Sequence, residues 1–191
     1  GVRVTGPDDP MLHERLGEPA KLLHSARSRN DQVATVLKLH VRDQARSVAE
    51  ALLALIDLLA ERASREGDLV LPAYTHRQRA QPITLAYWLL GYAEMLRRDV
   101  GLLRFVLDEL DASPLGVGAI AGSSLPIDRE LTREALSFSR LTENGLDTVG
   151  DRDFALNFTY AGARILLHTS RLATDLVDFT TAEFGFAKLD G

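Results

Sequence analysis

The sequence predicts an all-α protein built from long helices. Residues 31–66 contain neither glycine nor proline, and apolar residues recur there in steps of three and four, which is the spacing of one face of an α-helix. Two further stretches, near residues 84–110 and 151–184, show the same periodicity. No stretch alternates between apolar and polar residues with a period of two, so we predict no β-strand. The fold class is therefore a long-helix bundle.

The predicted elements follow one another in a simple order. Residues 1–23 are rich in glycine and proline and show little periodicity, so we interpret them as a leader or the remnant of an N-terminal domain. The first long helix begins at Asp31, where Ser28 or Asn30 can cap it, and Gly67 ends it. The other predicted elements are a loop at 69–82, a helix at 84–110, a glycine-rich loop at 113–126, a short helix at 127–138, a loop to 150 and a helix at 151–184.

Two domain-level expectations follow from this order. Residues 24–191 form one central helical domain, incomplete at its C-terminal end. The long helices carry more apolar surface than three helices can cover, and such open faces usually mark contacts with a partner. We therefore expect a homo-oligomer whose bundle crosses subunits.

Composition excludes several classes of function. The chain has 191 residues, a net charge of −5 and no cysteine. Nucleic acid is not an expected partner, because no basic stripe is present; thiolate catalysis and cysteine-ligated zinc are excluded. No apolar run approaches the roughly 18 residues of a membrane span, so we expect a cytoplasmic protein without a membrane partner. No two histidines are four residues apart, which argues against a helical metal site.

The first candidate site is Ser28-Arg29-Asn30, at the start of the first long helix. Backbone N–H groups and the helix dipole favour an anion there, and the guanidinium of Arg29 can bind a carboxylate with two parallel hydrogen bonds. The alternative is a simple helix cap beside a surface arginine. On physical grounds both interpretations stay open.

The second candidate site is Thr75-His76, in a polar stretch between two prolines. Histidine titrates near neutral pH, so a loop histidine among hydroxyl and amide groups is a candidate acid–base group. The alternative is a histidine that hydrogen-bonds to the backbone. His40 and His168 lie on predicted helices, and we interpret His168, which lies on an apolar face, as a core histidine.

Four stretches of the chain resemble argininosuccinate lyases, a family within the aspartase/fumarase superfamily that also includes the delta crystallins. The most specific is Tyr-Thr-His-Arg-Gln-Arg-Ala-Gln-Pro at residues 74–82. The resemblance extends from about Leu22 to the C-terminus. The matching stretches are Ser28–Val33, Leu71–Asp99, Pro114–Glu130 and Thr142–Phe154.

The resemblance implies an enzyme that cleaves argininosuccinate to arginine and fumarate by β-elimination, with no cofactor and no metal. It implies a homotetramer with a helical core, in which each active site draws on three subunits. Asn30 and Thr75 fall at substrate-binding positions, and Ser28 and Arg29 belong to the same anion-binding block. His76 falls on the catalytic histidine.

The chain lacks one element of the family pattern, and two other interpretations of its function stay open. The family carries a catalytic serine in a loop reading Gly-Ser-Ser-x-Met-Pro-x-Lys-x-Asn, and the chain stops before that loop. We therefore expect the isolated chain to be inactive, or nearly so. One rival is another lyase of the superfamily, such as one acting on adenylosuccinate. The other is a non-catalytic, crystallin-like structural protein.

Overall fold

The computed structural model describes residues 10–22 and 24–189, and α-helices dominate this part of the chain. The helices are α1 (Pro10–Leu16), α2 (Arg29–Glu66), α3 (Leu85–Leu110), α4 (Arg129–Ala135), α5 (Gly145–Gly150) and α6 (Asp153–Thr180), with a 3-10 turn at Glu18–Leu22. The strands are short: β1 (Val70–Thr75), β2 (Gln78–Thr84), β3 (Ala112–Ser113) and β4 (Arg140–Leu141). The three predicted long helices are confirmed as α2, α3 and α6, and the predicted short helix as α4.

The prediction that the chain has no strand was wrong. Strands β1 and β2 pair antiparallel as a hairpin that covers most of the predicted loop at 69–82 and extends to Thr84, and β3 pairs in parallel with β4. The hairpin shows no alternation because six of the seven residues of β2 are exposed. Pro72 lies opposite Pro82 in the register, and neither proline has an N–H to donate, so this pair adds no ladder hydrogen bond.

Two other expectations are corrected. The predicted loop that ends at Gly150 contains helix α5, because the side chain of Asn144 accepts hydrogen bonds from the N–H groups of Leu146 and Asp147 and so caps a helix start. The predicted leader is helical where it is described, over α1 and the 3-10 turn. Residues 1–9 and residue 23 of that leader lie outside the described residues, and the domain boundary at 23/24 stays a prediction.

The chain divides into two compact units. The first comprises the chain up to Ala45 together with Val106–Asn157, and the second comprises Arg46–Phe105 and the chain from Phe158 onward. Helices α2, α3 and α6 contribute residues to both units.

Two buried cations of helix α2, Lys38 and Arg42, contact other segments of the first unit. Arg42 donates hydrogen bonds to the carbonyl oxygens of Leu136 (3.0 Å) and Ser137 (2.9 Å), just after α4 ends, and its guanidinium lies 4.8 Å from the centre of the Phe138 ring. Burial lowers the pKa of Lys38, although the nearby carboxylate of Asp151 opposes this shift. The contacts of Arg42 attach the segment after α4 to helix α2.

Two carboxylates connect α3 and α6 in the second unit. Asp99 is almost fully buried and accepts hydrogen bonds from Arg164 Nε at 2.8 Å and from His168 Nδ1 at 2.7 Å. The interpretation of His168 as a satisfied core histidine is therefore confirmed. Asp175 accepts from Trp88 Nε1 at 3.0 Å and from the Tyr92 hydroxyl at 2.5 Å.

Among the described residues, the helices are too short or too polar to cross a membrane.

Replacing Tyr92 with phenylalanine is expected to change how stability depends on pH. Burial, together with the hydrogen bond to Asp175 and its negative charge, raises the pKa of the Tyr92 hydroxyl. Above about pH 10 the unfolded chain loses this proton while the folded chain keeps it, so the stability contributed by Tyr92 is present below that pH and is lost above it. Near neutral pH we expect Tyr92→Phe to lower the free energy of unfolding by about 1–3 kcal/mol.

The measurement is urea unfolding of the native chain and the variant from about pH 7 to about pH 11. The difference in free energy of unfolding is expected to shrink as the pH rises above about 10. Parallel pH profiles for the two proteins would contradict this account.

Candidate active site

The first predicted block lies at the start of helix α2, in the first unit. Ser28 precedes the helix, and its hydroxyl oxygen accepts a hydrogen bond from the N–H of Asn30 at 3.2 Å. The carboxylate of Asp31 accepts in return from the N–H of Ser28 at 3.0 Å. This reciprocal pair is a capping box, which satisfies two donors of the helix start. The predicted role of Ser28 as a cap is confirmed.

Asp31 also connects this helix start to the glycine-rich loop. Its side chain is fully buried, and its second oxygen accepts from the N–H groups of Gly116 and Gly118, each at 2.9 Å. Gly118 has φ of +62°, and a Cβ there would lie 2.6 Å from the carbonyl oxygen of Gly122. Glycine is therefore required at this position for the loop to reach the carboxylate.

Arg29 and Asn30 present exposed side chains beside this buried contact. The amide nitrogen of Asn30 donates a hydrogen bond to the carbonyl oxygen of Ala119 at 3.2 Å, so the loop fixes the direction of the Asn30 side chain. Asp31 already takes the N–H of Ser28. The groups that can bind an anion at this helix start are therefore chiefly the side chains of Arg29 and Asn30.

The second predicted block lies at the tip of the β1–β2 hairpin, in the second unit. Thr75 pairs with Gln78, so His76 and Arg77 form a two-residue turn. Their φ angles are +51° and +57°, and two positive φ angles in succession are the signature of a type I′ turn. Such turns prefer Asn-Gly, and a non-glycine residue in this region carries a cost of about 1–3 kcal/mol. Thr75 and His76 are both exposed.

The structure therefore brings the predicted residues together in two groups. Ser28, Arg29 and Asn30 share the start of α2 in the first unit, while Thr75 and His76 share the hairpin tip in the second. Among residues 10–22 and 24–189, no group of three or more histidine, cysteine, aspartate or glutamate side chains is placed to hold a metal ion.

Sequence reasoning missed the role of Asp31. It named Asp31 only as the start of the first long helix, and residues 113–126 only as a glycine-rich loop. The pattern Ser-x-x-acid at residues 28–31 was the available signal for a capping box. The contact with Gly116 spans 85 residues of sequence, and the sequence carries no signal for it.

Comparison with known proteins places the chain in a family. A family model described as "Lyase" matches residues 4–191. The chain belongs to this lyase family. It is 47% identical over 96% of its length to a protein of Desulforudis audaxviator (strain MP104C) named argininosuccinate lyase, and 50% identical over 91% to one of Synechococcus sp. (strain JA-3-3Ab) with the same name. It spans 42% and 36% of these two lyases, respectively.

Solved lyase structures share the fold. An EDDS lyase in complex with formate aligns with a TM-score of 0.89 and 31% identity, over 93% of this chain and 36% of that one. A structure named fumarate lyase:delta crystallin, from Brucella melitensis, aligns with a TM-score of 0.78 at 22% identity and shows the fold alone. The predicted long-helix fold of the aspartase/fumarase type is confirmed, and so is the resemblance to argininosuccinate lyases.

Replacing Asp31 with asparagine is expected to destabilise the chain by about 3 kcal/mol. The substitution removes the charge from three backbone hydrogen bonds and places an amide N–H₂ group against N–H donors, and breaking buried charged contacts has costs of this size. Asp43→Asn is the matched control, because Asp43 is an exposed residue of the same helix and such changes stay within about 0.5 kcal/mol. The measurement is the free energy of unfolding in urea, and equal losses in the two variants would refute the assignment.

Proposed function

We propose that this protein is an argininosuccinate lyase, which cleaves argininosuccinate to arginine and fumarate by reversible β-elimination. The observation that carries the proposal is the 47% identity to a protein of that name over 96% of this chain. The chain spans about two-fifths of that relative. Its two blocks would therefore take part in a reaction that the whole enzyme carries out.

The first block would bind a carboxylate of the substrate. The planar guanidinium of Arg29 matches the geometry of a carboxylate, and it is exposed at the start of α2. Asn30 can hold the carbonyl of Ala119 and a substrate oxygen at the same time, because an amide nitrogen carries two N–H groups. Ser28 keeps the helix start in place through its capping bond.

The second block would take part in proton transfer. In the elimination, a proton leaves the carbon beside a carboxylate, the C–N bond breaks, and the departing arginine nitrogen takes up a proton. We assign one of these two transfers to the imidazole of His76, which is exposed at the hairpin tip; histidine is the side chain most often used for proton transfer in enzymes. Thr75 offers a hydroxyl beside it for a substrate oxygen.

No cofactor is needed in this scheme. The reaction moves no electrons to an acceptor, and the negative charge that develops on the substrate carboxylate is stabilised by hydrogen-bond donors and cations. Arg29 and Asn30 supply such donors from the first block. The proposed partner is therefore the small-molecule substrate.

The solved structures suggest a second candidate substrate. The likeness to EDDS lyase at 31% identity favours a panel that includes EDDS and adenylosuccinate next to argininosuccinate. Release of free arginine assigns the reaction proposed here. Product from another member of the panel, without arginine release, would assign a different lyase of this family. The panel is assayed in a chimaera that completes the enzyme with the remaining segments of the Desulforudis relative, and a folded chimaera that converts none of the substrates would favour a structural, crystallin-like protein.

Replacing His76 with asparagine is expected to reduce turnover at least 100-fold, since loss of an acid–base group typically costs about 10²–10⁴ in rate. The assay uses a chimaera in which this chain replaces the matched segment of the Desulforudis relative, and it follows fumarate by ultraviolet absorbance. His40→Asn is the matched control, because His40 is an exposed histidine on α2. Unchanged turnover in His76→Asn, with the control also unchanged, would remove His76 from the mechanism.

We also propose that the protein assembles as a homotetramer through its long helices. Helix α6 exposes large apolar side chains over most of its length: Leu156, Tyr160, Leu166, Leu167 and Val177. Contiguous apolar surface of this kind on a helix marks an interface. Continuous packing of α6 against copies of the same helix would cover it.

Introducing arginine at both Leu166 and Leu167 is expected to dissociate the tetramer, because two buried charges without partners would oppose assembly. Light scattering coupled to gel filtration measures the mass of the particle. The control is Asp43→Arg, a change of charge at an exposed polar position of α2, which should leave the mass unchanged. A native chain that runs as a monomer would contradict the proposed assembly.

A further inference from the structure

The hairpin tip that carries His76 is strained and exposed. His76 and Arg77 both adopt positive φ angles, and such residues persist only where the surrounding structure holds them in place. Thr75, His76 and Arg77 are all exposed, so the support has to come from a neighbouring residue. The nearest strand residue with packing contacts is Tyr74.

Tyr74 packs against two phenylalanines that follow helix α6. Its ring centre lies 5.2 Å from that of Phe184, in an edge-to-face arrangement, and 6.4 Å from that of Phe186. The two phenylalanine rings also contact each other at 5.8 Å. Aromatic pairs in these arrangements contribute about 0.5–1.5 kcal/mol each beyond the burial of their surface.

The backbone holds these phenylalanines against the end of α6. Gly185 adopts φ of +59°, which reverses the chain, and its N–H donates to the carbonyl oxygen of Thr181 at 2.8 Å. The N–H groups of Phe186 and Ala187 both donate to the carbonyl oxygen of Phe179, at 2.9 and 3.1 Å. The segment 184–187 is therefore fixed to the helix rather than to the hairpin.

A chain of ring contacts extends this support to helix α3. Phe186 lies 5.4 Å from Phe179, and Phe179, which is buried, lies 5.2 Å from Trp88 on α3. Trp88 in turn donates its indole N–H to Asp175. All of these residues belong to the second unit, and together they connect two long helices to the residue two positions before His76.

We propose that Phe184 and Phe186 are positioning residues for His76. The inference rests on the proposed function, since it gives a reason for holding His76 at a fixed place. Their rings fix Tyr74, Tyr74 fixes the end of β1, and the end of β1 sets the direction of the two-residue turn. Displacement of a catalytic group by about 1 Å can cost on the order of 10²-fold in rate, so a turn supported only by solvent would be a poor carrier for an acid–base group.

The experiment compares Phe184→Ala and Phe186→Ala with Phe105→Ala, a control at an exposed phenylalanine of α3. NMR spectra of the 191-residue chain record the imidazole signals of its histidines. The signals that disappear in His76→Asn are assigned to His76. We expect the His76 signals to shift and broaden in both test variants and to stay unchanged in the control. Phe186→Tyr keeps an aromatic ring and is expected to restore the native signals.

Kinetics in the chimaera described above separate positioning from binding. We expect the two test variants to lower kcat 10- to 100-fold with a smaller rise in KM, because Thr75 moves together with His76 while Arg29 and Asn30 of the first block are untouched. His76 signals that stay native in both alanine variants would overturn the positioning role. If His76→Asn leaves turnover unchanged, the proposed function of His76 fails instead, whatever the NMR result.

Discussion

The burial of the Asp31 carboxylate is the constraint on which the first unit depends. A carboxylate removed from water carries a penalty of several kcal/mol unless it is paired or hydrogen-bonded. Asp31 meets this requirement with three backbone N–H groups, from Ser28, Gly116 and Gly118. The start of α2 and the glycine-rich loop must therefore form together, because neither satisfies the charge without the other. The direction of Asn30 follows from this, since its amide donates to the same loop, at Ala119.

The second unit solves the same problem with side-chain donors. The buried Asp99 is held by Arg164 and His168, and the half-buried Asp175 by Trp88 and Tyr92. These donors come from long helices whose backbone groups are already paired internally, so only side chains are left to satisfy a buried acid. In the first unit the donors come from a loop, whose backbone N–H groups have no such partners. The type of donor thus follows from the kind of element that surrounds each carboxylate.

The sequence predicts the long helices well because an amphipathic helix repeats its apolar residues every three to four positions, and this pattern can be recognised locally. Helices α2, α3 and α6 all carry apolar residues in steps of three and four over many turns. The hairpin has no such pattern. Strand β2 is almost entirely exposed and each strand contains a proline, so neither alternation of apolar residues nor composition identifies the strands. Helix α5 has only six residues, too few to establish a period. The contact of Asp31 with the glycine loop depends on tertiary structure and is invisible to local pattern.

At His76 the local residue preferences and the observed conformation disagree. Residue preferences place Asn-Gly in a two-residue hairpin turn, but this turn carries His-Arg with both φ angles positive. Residue chemistry and the resemblance to a family both singled out His76, but the sequence pattern placed it in a loop and not at the tip of a hairpin. Departures of this kind are expected at functional sites, where a residue is kept for its chemistry and the neighbouring structure bears the strain. The rings of Tyr74, Phe184 and Phe186 are the part of the structure placed to bear it, which connects the packing of the second unit to the chemistry proposed for its hairpin.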